Sequence, residues 1–208
     1  MREIQQHNFA ARVAQFVAPL KKSLVCMILQ KITVLMSVTY LFISTAADCQ
    51  ALSSADIKES MMKDWERAKA FTIDYLNAMP TEKYSFKPVD SIRSFGSQML
   101  HLAWVNVFVL SLATNQTTLP WAQASLQTRV TAQSKDSVFY YVTQSYDYCI
   151  NAIKNSDVNK WAEKVKFRET EGSRFEFINK AFEHQTHMRG QTTIYIRLQG
   201  IRPPQERL

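Results

Sequence analysis

Glycine and proline are scarce in this sequence, and their scarcity restricts the fold more than any other feature. The 208 residues include four glycines and six prolines, and residues 20–79 and 121–171 contain neither. Strands joined by tight turns use both residues often, because turns need backbone conformations that glycine and proline supply. Apolar residues make up 46% of the chain and charged residues 21%, as in an ordinary folded domain. The sequence therefore predicts an all-α fold with a sizeable core.

The positive charge of the chain is concentrated near its N terminus. The formal net charge is +7, but the first 51 residues carry five basic side chains and two acidic ones. The mild basic excess that remains is spread over the rest of the sequence, as is common on solvated protein surfaces. We therefore expect no nucleic-acid partner, since a nucleic-acid-binding domain concentrates its basic residues on one face.

Residues 27–51 have the pattern of a secretory signal peptide. A short basic start is followed by an apolar run at residues 32–44 and then by small residues suited to cleavage after Ala47 or Ala51. The run is too short to span a hydrocarbon core about 30 Å thick. We therefore interpret residues 1–51 as a leader and signal peptide and expect an extracytoplasmic protein. The alternative is an uncleaved N-terminal anchor, which would be the protein's only link to a membrane.

The start of the chain and its cysteines support the same interpretation. Residues 1–26 are polar, basic and without a periodic pattern, which favours Met27 as the true start. Cleavage at either site removes Cys26, and cleavage after Ala51 also removes Cys49. Cys149 is then alone and cannot form an internal disulfide. It lies in an apolar helical stretch, so a core residue explains it better than a nucleophile.

Residues 52–208 contain four segments with the apolar periodicity of amphipathic helices. Four helices that each carry one apolar stripe bury these stripes most simply against one another, so we predict a four-helix bundle. The connection at residues 156–172 is polar, with room for a short extended segment at residues 164–167. The helices are expected from Ser53 to before Pro80, from about Ser94 to before the polar connection at residues 114–133, over residues 135–155, and from Ser173, with Glu176 completing a capping box, to Gly200.

Three histidines lie on two of these helices: His101 on the second, and His184 and His187 on the last. Helical spacing directs His101 and His184 toward the bundle interior, and Met188 shares the direction of His184. Imidazole is the commonest metal ligand in proteins, whereas a thioether suits Cu(I) and is a poor ligand for zinc or nickel. The residues alone leave two interpretations open: a three-histidine metal site, or buried, hydrogen-bonded histidines without a metal.

Two segments resemble a known family. IRSFGSQMLHLAWVN at residues 92–106 and EHQTHMRGQTTIYIRLQGIRPP at residues 183–204 are similar to the DinB/YfiT-like superfamily of bacterial four-helix-bundle metalloenzymes. The resemblance covers about residues 53–204. The R-G-Q-x-x-x-Y-x-R-x-x-G-x-x-P-P ending, with a histidine-bearing helix before it, is its most specific part. The resemblance implies the same four-helix bundle that the periodicity predicts.

The resemblance also implies a divalent ion, zinc or nickel, held by one histidine from the second helix and two from the last at i and i+4. Matched by position, His101 and His184 are two of the ligands, and Met188 stands in the third position. His187 matches a neighbouring histidine that is ordinarily not a ligand. Three possibilities follow: His187 replaces the missing ligand, two histidines hold the ion weakly, or the site has been lost.

Relatives in this superfamily include thiol transferases and thiol-dependent isomerases, in which the metal lowers the pKa of a bound thiol or water. The resemblance suggests that Gln191 orients the bound nucleophile and that Arg189 receives an anionic group of a small-molecule substrate. An extracytoplasmic location favours hydrolysis over thiol transfer, because small thiols are concentrated in the reducing cytosol. The leading interpretation is therefore a metal-dependent hydrolase or transferase.

Each assignment has a structural alternative. Arg189 could pair with a surface carboxylate, Gly190 could allow close helix contact, and Gln191 could satisfy a buried polar group. For the whole protein, the alternatives are a non-catalytic binding module with a degenerate metal site and a homodimeric bundle. Tyr140, Tyr146 and Tyr148, on several faces of the third helix, are compatible with a partner surface.

Overall fold

The computed structural model describes residues 26–36 and 51–207. The chain divides into two compact units, Met1–Ala51 and Leu52–Leu208. In the first unit, α1 (Cys26–Met36) is a short apolar helix with exposed side chains. The predicted cleavage site after Ala47 and most of the apolar run of the signal segment lie outside the described residues.

Four long helices and one β-hairpin form most of the second unit, and short 3₁₀ helices lie in the connections, at Thr81–Lys83, Ala124–Thr128, Val130–Ala132 and Val158–Lys160. The long helices are α2 (Ser54–Ala78), α3 (Phe95–Thr114), α4 (Lys135–Asn155) and α5 (Arg174–Arg197). The predicted four helices are therefore confirmed. The extended segment expected at residues 164–167 is strand β1 (Lys164–Phe167), which pairs antiparallel with β2 (Thr170–Ser173). The fold is thus mainly helical with a small two-stranded sheet, which corrects the expectation of a purely α-helical domain.

A serine precedes each long helix and caps it. The side chains of Ser53, Ser94, Ser134 and Ser173 accept hydrogen bonds from backbone N–H groups three residues on. These bonds satisfy amides that have no partner within the helix. In α2 and α5 an acidic residue also accepts from the backbone of the capping serine, which completes a capping box. α5 ends at Arg197, before the predicted end at Gly200, which has a φ of +74°.

α3 is the most buried helix because it packs against both α4 and α5. Among the described residues it is also the one helix long and apolar enough to cross a membrane, although two thirds of the relevant stretch is buried inside the bundle. Cys149 of α4 is fully buried, and burial raises the pKa of its thiol well above the ordinary value. Its placement as a core residue is confirmed.

Two smaller expectations are wrong. The side chain of Tyr146 is fully buried and cannot contribute to a partner surface, whereas Tyr140 is 55% exposed. Gly190 does not permit close helix contact, because nothing lies within 4 Å of where its Cβ would be.

Candidate functional site

His101 of α3 and His184 of α5 meet where these two helices pack together. Their ring centroids are 5.3 Å apart and the rings are inclined at 67°. Both side chains are partly buried. The two imidazoles therefore converge as the helical spacing predicts, while metal binding by them stays a prediction.

A glutamine outside the long helices fixes the ring of His101. The side-chain oxygen Oε1 of Gln127 is hydrogen-bonded to Nδ1 of His101. Because an amide oxygen only accepts, the ring proton is on Nδ1 and the lone pair of Nε2 is free. Metal-ligating histidines commonly have such a partner on the second ring nitrogen, which fixes both ring orientation and tautomer. The sequence analysis missed Gln127, since it lies in the polar connection between α3 and α4.

The imidazole of His184 has a buried nitrogen without a partner. Its Nδ1 has no hydrogen-bond partner among residues 26–36 and 51–207. Burial, reinforced by the charges of His101, His187 and Arg93, lowers the pKa of His184 to about 4. Burial also lowers the pKa of His101, and Arg93 adds to the shift. Both imidazoles are therefore neutral at pH 7, which is the state that binds a metal ion.

The position that the resemblance assigns to a third ligand is occupied by a thioether in a polar network. Met188 is buried, and its Sδ accepts a hydrogen bond from Nε2 of Gln98 at 3.0 Å. The same amide donates to Oε1 of Gln191, whose Nε2 donates to Nε2 of His187 at 2.9 Å. His187 is exposed and contacts Gln191 rather than the other two imidazoles. In the described part of the chain, no three His, Cys, Asp or Glu residues are grouped so as to hold a metal ion.

Arg189 lies on the side of α5 that faces α2. Its Nη1 donates to Oε1 of Gln185 at 2.7 Å and to Oγ1 of Thr72 at 3.2 Å, and the guanidinium lies 4.6 Å from the ring centroid of Phe71. No carboxylate of residues 51–207 forms an ion pair with it. The structure therefore does not bring Arg189 to the histidines, and its pairing with a surface carboxylate is wrong as well.

A cleft opens between α5 and the segment that leads into α3, and the histidines themselves are not among its lining residues. Its volume is about 690 Å³, within the usual range for small-molecule sites. Gln98 and Gln191 belong both to the cleft wall and to the network around Met188. The lining residues are Pro88, Ser91, Ile92, Arg93, Gln98, Gln191, Ile194 and Tyr195.

Comparison with known proteins identifies the family. The model of the DinB family matches residues 49–207. The crystal structure of a DinB-like protein from Bacillus cereus ATCC 10987 aligns over 71% of this chain and 95% of its own, with a TM-score of 0.61 and 17% identity. That of a DinB-like protein from Bacillus subtilis aligns over 68% and 92%, with a TM-score of 0.55 and 13% identity.

These low identities establish a shared fold and nothing finer. No curated protein matches the chain significantly. The family match nevertheless extends over all four long helices and both histidine-bearing segments. The chain therefore belongs to the DinB family.

Proposed function

We propose that this DinB-family protein binds a divalent metal ion through His101 and His184 and uses it to act on a small molecule in the adjacent cleft. The observation that supports this most directly is the buried Nδ1 of His184, which has no hydrogen-bond partner within the described ranges, on a ring that lies beside that of His101. Buried polar atoms normally have a partner, and a metal ion would supply one to a neutral imidazole. The Gln127 contact leaves Nε2 of His101 free for the same purpose.

The three side chains at the candidate site differ in how well they bind zinc or nickel. The paired imidazoles suit zinc or nickel, whereas the sulfur of Met188 does not. Catalytic zinc sites usually have three protein ligands, so we expect weaker binding than at a three-histidine site. His187 could contribute only if its hydrogen bond to Gln191 were exchanged for a metal bond.

The proposed chemistry is hydrolysis in an extracytoplasmic compartment. A bound divalent ion would supply acidity, lowering the pKa of a coordinated water or thiol. Gln191 lines the cleft and contacts His187, which supports the proposal that its amide orients a substrate there. Arg189, which contacts Thr72 and Gln185 instead, has no part in this proposal.

Metal titration of the purified, chelator-treated protein tests the proposal. Zinc binding is measured by competition with a chromophoric chelator, and the wild type should bind about one ion per chain. His101→Ala and His184→Ala should each abolish binding while circular dichroism shows an unchanged fold. His187→Ala is the matched histidine control and should retain binding if two imidazoles suffice. Absence of zinc and nickel binding by the wild type would contradict the proposal.

A second function class is favoured by Met188. A buried thioether in the third ligand position, engaged by Gln98, is what a binding module with a degenerate metal site would contain. In that case the wild type would bind a small molecule in the cleft and no metal. The titration above distinguishes the two.

A further inference from the structure

The cleft between α5 and the segment that leads into α3 combines one cation with exposed aliphatic side chains. Arg93 is its only charged lining residue among those described. Ile92 and Ile194 line the same cleft and are 38% and 56% exposed. Large aliphatic side chains left open around a polar centre are typical of sites that bind small organic molecules.

The positive charge of Arg93 has no ion-pair partner in the part of the chain that the structure describes. No aspartate or glutamate of residues 51–207 forms an ion pair with it. Arg93 is part of the cleft wall, together with Gln98 and Gln191. A cation in this position favours an anionic ligand.

The backbone at Arg93 is anchored at the start of α3, so the arginine side chain extends from a fixed position. The hydroxyl of Tyr195 donates to the carbonyl oxygen of Arg93 at 2.9 Å, and the next residue, Ser94, is the N-cap of α3. Tyr195 is itself part of the cleft wall. Both residues joined by this hydrogen bond therefore line the cleft. The arginine side chain extends from backbone that is tied to α5.

We propose that the cleft binds a small organic anion, whose carboxylate or phosphate pairs with Arg93 while its apolar portion packs on Ile92 and Ile194. The planar guanidinium matches both kinds of oxyanion by paired hydrogen bonds. Gln98 and Gln191 connect the cleft to the candidate metal site, because they line the cleft and also contact Met188 and His187. The proposal rests on the proposed function, because it names the class of molecule that would reach the imidazoles.

Calorimetric titration with matched eight-carbon probes tests this specificity. Octanoate and octyl phosphate are compared with 1-octanol, which has the same tail without the charge. The wild type, kept metal-free with a chelator, should bind at least one of the two anions in preference to the alcohol, and their ratio separates a carboxylate from a phosphate site. Arg93→Gln should weaken anion binding roughly tenfold or more, since hydrogen bonds to charged groups are the strong ones. Arg129→Gln, an exposed arginine outside the cleft, should leave it unchanged.

The outcomes separate this proposal from the metal site. Equal binding of octanol and the anions, no anion binding, or an unaltered affinity in Arg93→Gln would overturn it. Ile194→Asp provides a second variant, because its carboxylate should repel the anions without touching the core. His101→Ala should lose zinc and keep metal-free anion binding. Zinc binding without anion binding would therefore refute the ligand class alone, and anion binding without zinc would refute the metal alone.

Discussion

Met188 is the residue at which this chain departs from the donor pattern that the family resemblance implies. It lies one helical turn after His184 on α5, so the two side chains share a direction. Met188→His would place a third imidazole beside the first two, and imidazole is a much better zinc ligand than a thioether. We expect zinc affinity to rise by roughly tenfold or more as the protein ligands increase from two to three. Chelator competition measures the change.

The control for this substitution is Met188→Leu, which keeps an apolar side chain of similar volume and offers no ligand. Zinc affinity should then stay at the wild-type value. A similar gain in both variants would show that the sulfur or its bond to Gln98 interferes with binding, and that a third imidazole is not the cause.

Arg189 shows how a buried charge can serve stability without a carboxylate partner. Its guanidinium lies over Phe71 and donates to Thr72 and Gln185. Arg189→Ala removes these contacts and leaves a cavity, so we expect the free energy of unfolding to fall by about 2 kcal/mol. Urea denaturation measures the loss, which should be smaller for the volume-conserving Arg189→Met.

Binding measurements distinguish a structural role of Arg189 from a catalytic one. Neither zinc nor octanoate binding should change in Arg189→Met, because the side chain lies outside the cleft. Unchanged stability together with lost binding would instead support the catalytic role that the family resemblance suggested.

At the level of the helices, two glycines provide a matched pair. Gly190 is exposed within α5 and has open space where a Cβ would be. Gly190→Ala should therefore stabilise the protein by about 0.5–1 kcal/mol, since alanine has the higher helix propensity. At Gly96, in the first turn of α3, a Cβ would lie 3.2 Å from the carbonyl oxygens of Tyr84 and Gln133. Gly96→Ala should destabilise by about 1–3 kcal/mol through overpacking.

Urea unfolding of the two variants measures whether each substitution raises or lowers the free energy of unfolding. The pair is informative because the same added methyl group should act in opposite directions at the two positions. Destabilisation by Gly190→Ala would contradict the argument from open space and helix propensity.

The capping box of α5 predicts a dependence of stability on pH. The backbone hydrogen bond from Ser173, followed by the Ser173 side chain and the charge of Lys164, lowers the pKa of Glu176 from its ordinary value of 4.5. The folded state therefore favours the carboxylate. Its contribution to stability is complete above pH 4.5 and is lost as the pH falls through the lower folded pKa.

Glu176→Gln tests this direction of the pH dependence, because the glutamine side chain can still accept the hydrogen bond from the backbone N–H of Ser173 but does not titrate. We expect the melting temperature of the wild type to exceed that of the variant at pH 7 and the difference to shrink below pH 4. Asp56→Asn should behave in the same way in α2, where hydrogen bonds to Ser53 lower the pKa of Asp56. A difference that grows in acid would contradict the argument.

The helices were predictable because their signals are local, whereas the hairpin turn carries no such signal. Ser53 and Ser173, each followed by an acid three residues on, identify helix starts without any tertiary information. Between β1 and β2, however, the chain turns at Arg168 and Glu169, and Arg168 adopts a φ of +54°. Left-handed backbone is usually marked by glycine or asparagine, so this turn left no recognisable pattern.

At the scale of the whole domain, the candidate site was only half predictable for a related reason. His101 and His184 follow from helical periodicity, because each projects from a regular face toward the interior. Gln127 lies in a short 3₁₀ helix between α3 and α4, and tertiary packing alone brings it to His101. Arg93 lies in the connection before α3, where no periodicity marks it as part of the cleft. Arg189 shows the converse. The resemblance assigned it to the site through its position in a matched motif, whereas its direction from the helix brings it to α2.

The division of the chain at residue 52 supports a final prediction about folding. Among the described residues, the buried core runs from Trp65 to Ile196, and the contacts of the first 51 residues form a separate unit. We expect residues 52–208 alone to unfold in urea with a free energy within about 0.5 kcal/mol of that of the full chain, as for changes remote from a core. Zinc affinity should also be the same, because both proposed ligands are retained.

Far-ultraviolet circular dichroism of the full chain and of the truncated protein measures this comparison, with zinc titration of both. The capping box of Ser53 and Asp56 lies just inside the truncated protein, so its first helix should keep its N-cap. A truncated protein starting at Asp56 is the matched control, since it loses Ser53 and should be less stable by about 1 kcal/mol. Marked destabilisation of the protein that starts at Leu52 would mean that the preceding residues support the bundle, which a removable signal peptide could not do.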